Sequence, residues 1–236
     1  MKRQAGFSLV EMLISIVVGS VIIAAIYAGV VSGQRSTSDV ERKVVAGQDA
    51  RAALELMAIE IQMASFNPNY APGIWVVPSG TCNVQSANQN YMGIQAANPF
   101  SISIESDLNW NSAVARSATP NPNPNEIITY SFDMVNQYIT RETGCGGAQP
   151  FLGDTPSSGR PRAVRVINTT GVPVFRYFNA QGVEITGGLP AAIPNIARVD
   201  ITLWVETENV DVDTGQRRKM VYSTSVIPRN HAIIID

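Results

Sequence analysis

The residue in this chain best placed to do chemistry is a carboxylate. Glu11 stands directly before Met12–Gln34, 23 positions without a single charge. An ionisable group at the end of so apolar a run is costly unless it has a partner and a task. Four residues earlier the sequence turns from Gly6 to Phe7, behind a short basic leader carrying Lys2 and Arg3. Two cysteines, Cys82 and Cys145, form a second pair of interest. In an exported domain a small, even count favours a disulfide, with two buried thiols as the alternative. Closing so long a loop is credited with about 4 kcal/mol in the chain-entropy model. The third feature is Asp211-Val-Asp213-Thr-Gly215. Oxygen ligands at alternate positions followed by a glycine turn make half of a calcium loop. The acid required at position twelve is replaced by Tyr222, so a polar hairpin turn is the better reading than a metal site.

No constellation of catalytic residues accompanies these features. The single histidine, His231, lies in the C-terminal stretch, far from a Ser/His/Asp arrangement, and reads as a solvated surface residue. H-E-x-x-H, P-loop and G-x-S-x-G patterns are missing from the sequence. The chain therefore reads as a non-enzyme that needs no cofactor. Trp75, Trp110 and Trp204 could form a binding patch, although such rings more often pack in a core.

The elements that must carry these residues follow from the hydropathy pattern. Met12–Gln34 is long enough to cross the ~30 Å apolar layer of a bilayer as a helix. Beyond Ser38, Val40, Val44, Gly47, Ala50, Leu54, Met57, Ile61 and Ala64 recur at spacings of three and four. That spacing makes one apolar stripe on a helix. Proline first appears at Pro68, so one helix is expected from Phe7 to about Phe66. Gly29 and Gly33 make a small-xxx-small pair that would admit a second helix, although glycine is common in membrane helices in any case.

From residue 67 to 125 the chain is rich in Asn, Pro, Gly, Ser and Ala. Turns are expected at Asn67-Pro68-Asn69 and Pro72-Gly73, and a solvated loop over Thr119–Asn125. Ile74–Val77 and Phe100–Ile104 read equally as strands or loop anchors. After Glu126 the signal is β. Ile127–Phe132 and Tyr138–Arg141 form a hairpin pattern, and Ala163–Ile167 and Val172–Phe178 suggest two more strands. The clearest strand alternates Val199, Ile201, Leu203 and Val205 with polar residues, and Lys219–Ile227 is its expected partner. The predicted fold class is α+β, a long N-terminal helix laid across an antiparallel β-sheet.

Gly6-Phe7-Ser8-Leu9-Val10-Glu11 resembles the leader junction of type IV pilins and type II secretion pseudopilins. The resemblance implies that a prepilin peptidase cuts after Gly6 and methylates the new N-terminus at Phe7. It also implies that Glu11 meets that amine on a neighbouring subunit, and it brings the type IV pilin fold with it. The chain's length, Glu60–Phe66, Ile128–Phe132 followed by Tyr138–Arg141, and Ser225–Asn230 resemble minor pilins of the PilW type and the related J-type pseudopilins. Major pilins often carry a helix-breaking proline in the apolar half; this chain has none.

The implied organisation is a leader at 1–6, a transmembrane and filament-core helix at 7–34, its amphipathic continuation at 35–66 and an exported β-rich domain at 67–236. The implied partners are the prepilin peptidase and N-methyltransferase, the inner-membrane assembly platform, the membrane, other minor pilins, the major pilin and a tip adhesin. The implied location is the inner membrane, N-terminus cytoplasmic, and then a surface pilus. Without residues 1–6 the chain has fifteen basic against nineteen acidic residues, a net charge of −4, which gives no sign of nucleic-acid binding. A membrane-anchored periplasmic module that binds glycan or protein through its aromatic and Asn-rich surface is the rival outside the family.

Overall fold

The computed structural model describes residues 8–80, 82–114, 123–153, 162–211 and 214–231, with Arg35, Ser36 and Asp39 described by backbone alone. Gly6, Phe7, Asp213 and Thr119–Pro122 therefore lie outside the described residues. The expected helix is one continuous element, α1, Leu9–Gln62. Its 54 residues span about 81 Å at 1.5 Å per residue. It ends four residues short of Phe66, because Ser65 turns to a left-handed φ of 67° and its N–H bonds the Glu105 carbonyl at 2.9 Å.

Only the C-terminal part of α1 is covered. Ala46 is the first buried side chain, and Ala50, Ala53, Leu54, Met57 and Ile61 continue the buried face. Val40 and Val44, expected in that stripe, are 60% and 49% exposed. The apolar stripe thus begins several residues later than the sequence suggests, because the β-rich body meets the helix only from about Ala46 onward.

The strands form two antiparallel sheets where one was expected. The first orders β1 (Ile94–Asn98), β2 (Ser101–Glu105), β3 (Ile127–Asp133), β4 (Tyr138–Thr143) and β5 (Gln149–Leu152) as a meander. In the second, β8 (Arg198–Thr207) is central. β9 (Lys219–Val226) runs along one edge of it, and β6 (Val164–Val166) and β7 (Phe175–Phe178) share the other. The alternation on β8 is strict, with Val199, Ile201, Leu203 and Val205 all buried against α1 and its neighbours. Tyr222 on β9 approaches α1 at Gly47, where an added Cβ would lie 2.9 Å from the Tyr222 hydroxyl oxygen. Side chains from both sheets and the helix share one hydrophobic core. The sequence shows period-two alternation but not which strands share a sheet.

Three ties fasten the end of α1 to the sheets. The Glu60 carboxylate accepts hydrogen bonds from Arg141 Nη2 at 2.6 Å and Nε at 3.2 Å, and from the Tyr130 hydroxyl. Gly93 N–H donates to Ser65 Oγ at 2.8 Å, while its carbonyl accepts from Glu105 N–H at 2.6 Å. Arg229 N–H donates to the Gln62 carbonyl at 3.3 Å. Gly93 is sterically required: a Cβ there would sit 2.2 Å from both the Glu105 carbonyl oxygen and the Ser65 nitrogen.

A second, smaller core holds Ile74, Trp75, Val76, Cys82, Val114 and Ile127. Ile74–Val77 is thus a loop anchor, tied by a single bridge from Val76 to Gln85. Phe100–Ile104, the other ambiguous segment, supplies strand β2. Cys82 and Cys145 are disulfide-bonded with Cα atoms 5.7 Å apart, linking this small core to the end of the β3–β4 hairpin. Two acids are buried beside it. Glu105 Oε2 accepts from Val76 N–H at 3.0 Å and Oε1 has no protein partner. Glu126 Oε1 accepts from Leu108 and Asn109 N–H, both at 3.1 Å, while Oε2 has none. Burial, the largest cause in both, raises the Glu105 pKa well above the ordinary carboxylate range and the Glu126 pKa to about 7, Asp107 adding repulsion at Glu126.

Gly93→Ala is expected to cost about 3 kcal/mol or more, since neither neighbouring backbone atom can give way, as read from urea unfolding in detergent. Replacing both Cys82 and Cys145 by serine should lower stability by about 4 kcal/mol in the chain-entropy estimate for this loop, measured the same way. The folded state holds the Glu126 proton up to about pH 7, whereas an unfolded glutamate releases it near pH 4.5. Its contribution to stability is therefore full below about pH 4.5 and is lost as pH rises through about 7. Glu126→Gln, which cannot ionise, should gain stability relative to the parent chain as pH is raised from about 5 to about 8, seen as a diverging pair of unfolding midpoints. Parallel midpoints would contradict that account.

Candidate functional site

The N-terminal segment of α1 positions the residues singled out first. Ser8 is the N-cap, extended at φ −76° and ψ 144°, and its Oγ accepts from Val10 N–H at 3.3 Å. Glu11 occupies the third helical position and its Oε2 accepts from Ser8 N–H at 2.9 Å, completing a capping box. Glu11 therefore serves the helix start as well as carrying charge. Its Oε1 has no partner among the described residues.

Leu9–Gln34, 26 residues, is long and apolar enough to cross a membrane, and none of it is buried by the rest of the chain. Leu9, Met12, Ile16, Val21, Ile23 and Tyr27 are among its exposed side chains. Two hydroxyls along this half bond back to the helix itself: Ser15 donates to the Glu11 carbonyl at 2.7 Å and Ser20 to that of Val17 at 2.8 Å. Polar groups satisfied within the helix suit an apolar surrounding. A Cβ at Gly19, Gly29 or Gly33 would touch nothing within 4 Å, so these glycines leave an open, small-residue face. In chemical terms this is an apolar rod with one acid at its tip, suited to lipid or to other helices.

The remaining sequence-derived sites fare differently. Asp211 N–H donates to the Gln216 carbonyl at 3.0 Å and its own carbonyl accepts from Gly215 N–H at 2.9 Å. It is buried, accepts from Thr214 N–H at 3.1 Å and pairs with Arg218 Nε at 2.8 Å. Its partner in the half calcium loop, Asp213, lies outside the described residues. Trp75 is buried in the small core, Trp204 is half-buried beneath Lys219, and Trp110 is exposed, so the three indoles make no common patch.

His231 is a correction. It is 4% exposed, not solvated, because the segment at 228–231 passes over the end of α1, where Arg229 N–H bonds the Gln62 carbonyl. Nε2–H donates to the Ile193 carbonyl at 2.9 Å, which leaves Nδ1 to accept from Ser65 Oγ at 2.9 Å. Burial pushes its pKa below the ordinary histidine value. A serine–histidine contact is thus present, but Ser65 also accepts from Gly93 N–H and the ring's far nitrogen faces a carbonyl, not a carboxylate. That arrangement ties His231 to the end of the helix and to the Ile193 turn. Sequence reading missed it along with Glu105 and Glu126. The only signal for the two acids was their position at the edges of apolar strands.

Residues 1–27 match a family model described as the prokaryotic N-terminal methylation motif. Comparison with curated proteins and with solved structures found no match. The match covers the N-terminal motif, and the uncovered apolar helix that follows it and the α+β body fit a pilin-like subunit.

Proposed function

We propose that this chain is a minor pilin of the PilW type, which primes assembly of a type IV pilus and resides at or near its tip. The observation that carries the reading is the methylation motif standing directly before 26 residues of apolar helix that the chain itself leaves uncovered. Prepilin peptidase cleaves between Gly6 and Phe7 and the new amine of Phe7 is methylated. Residues 7–34 then anchor the subunit in the membrane, 35–66 continue the helix and 67–236 form the exported body. The body receives the Cys82–Cys145 bond in an oxidising compartment. The partners are the peptidase, the inner-membrane platform, other minor pilins, the major pilin and a tip adhesin.

Assembly exploits the cost of placing charge in an apolar medium. A cationic Phe7 amine and the Glu11 carboxylate of a neighbouring subunit are each costly alone, and bringing them together offsets both penalties. The pair thereby fixes the axial register of one helix against the next. Length favours a minor over a major subunit, and the matches near Glu60 and Arg141 are shared with a relative, the J-type pseudopilin of type II secretion, from which the filament that contains the protein would distinguish it. The ion pair that joins those two residues makes the matches part of one structural unit.

Two variants at Glu11 separate charge from helix capping. Glu11→Gln preserves the capping box, and Glu11→Ala removes both. Both should be cleaved at nearly the parental rate and both should lose incorporation, at least tenfold by immunoblot of sheared filaments. Normal incorporation of Glu11→Gln would rule out charge pairing as the assembly device.

A further inference from the structure

A cavity of about 210 Å³ opens where α1 hands over to the body. Phe66, Pro68, Tyr70, Trp75, Met92 and Asn230 line it, with Ser65 among them. No charged side chain lines it, and Met63–Ile104, which supplies all of the lining but Asn230, is 42 residues without Asp, Glu, Lys, Arg or His. Tyr70 stands 77% exposed at this site, and Trp110, 63% exposed, meets Phe66 edge-on with ring centroids 6.2 Å apart. Asn69 Nδ2 ties the two loops together, donating to the Trp110 carbonyl at 3.1 Å and to Ser112 Oγ at 3.0 Å.

The backbone is strained here more than elsewhere. Eight non-glycine residues among those described have positive φ, and Ser65, Tyr70 and Met92 line the cavity while Trp110 and Ser112 flank it. Each such residue costs on the order of 1 kcal/mol or more and persists where the surroundings hold it, commonly at ligand clamps. Large aromatic rings left in water, held by strained loops, are a poor solution for folding alone.

We infer that this cavity is a binding site for a neutral sugar ring, the end residue of a glycan. The volume suits one ring and falls below that of sites for drug-sized molecules. Exposed faces of Tyr70 and Trp110 offer the flat apolar surfaces against which the C–H faces of a pyranose stack. The Tyr70 hydroxyl and the Asn230 amide, neither hydrogen-bonded among the described residues, supply the donors and acceptors that hydroxyl groups need. The uncharged lining disfavours acidic sugars, phosphates and charged peptides, which would lose hydration with no ion pair in return. Ser65 is committed to His231 and Gly93, so the site binds without reacting. The site lies on the body, apart from the apolar helix half, and does not depend on the assembly reading.

The test uses the full chain in lipid nanodiscs, free of glycoside detergents whose head groups would occupy the cavity. Saturation-transfer NMR is run with glucose, galactose, mannose, N-acetylglucosamine, N-acetylgalactosamine and the acidic N-acetylneuraminic acid. At least one neutral sugar should receive magnetisation, and the acidic sugar none. Tyr70→Asn and Trp110→Asn remove the rings with a residue that tolerates positive φ, and each should weaken binding about tenfold. Asn230→Ala, which removes the free amide without touching either loop, should weaken it as well. No transfer to any neutral sugar, transfer to the acidic sugar alone, or unchanged affinity in all three variants would overturn the proposal.

Discussion

Everything about this chain follows from an apolar helix half that its own fold leaves bare. Leu9–Gln34 exposes its large aliphatic side chains on every side, and the body covers α1 only from Ala46 onward. At roughly 25 cal/mol per Å² of apolar surface, water is not a tenable surrounding for such a segment. It needs lipid or other helices around it. An acid at the tip of so apolar a segment is costly unless it has a partner. The capping box explains how a carboxylate can sit at that point without unravelling the helix start.

The body grips α1 by its C-terminal part. Glu60, in the last turn of α1, is gripped by Arg141 and Tyr130 of the first sheet, while Gly47 admits Tyr222 of the second. Ser65, Gly93 and His231 close the junction from the loop side and the chain end. A helix secured to two sheets at its far end transmits the placement of its apolar half to everything the body presents. The aromatic-rimmed cavity sits at this junction, where the helix handover leaves Phe66 and Tyr70 turned outward.

Much of this was legible beforehand. The apolar run, the unbroken helix, the β3–β4 hairpin and the β8–β9 pair are local patterns, and each appears within a few residues of its expected bounds. The α+β class follows from them. What escaped was non-local. Val40 and Val44 have helical spacing but no sheet opposite them, so spacing alone could not reveal their exposure. Strands β1 and β5 are short and polar-flanked, recruited by neighbours rather than by their own alternation. His231 looked isolated because its partner, Ser65, is 166 positions away. The N-terminal motif, matched over residues 1–27, was legible for the opposite reason: it falls within one contiguous stretch of sequence.

The most direct measurement is the intact mass of the protein purified from cells with and without the prepilin peptidase. The account predicts loss of residues 1–6 and one added methyl group at Phe7 only when the peptidase is present. An N-terminus that retains residues 1–6 in both cells would contradict it, and the apolar helix would then be a permanent membrane anchor.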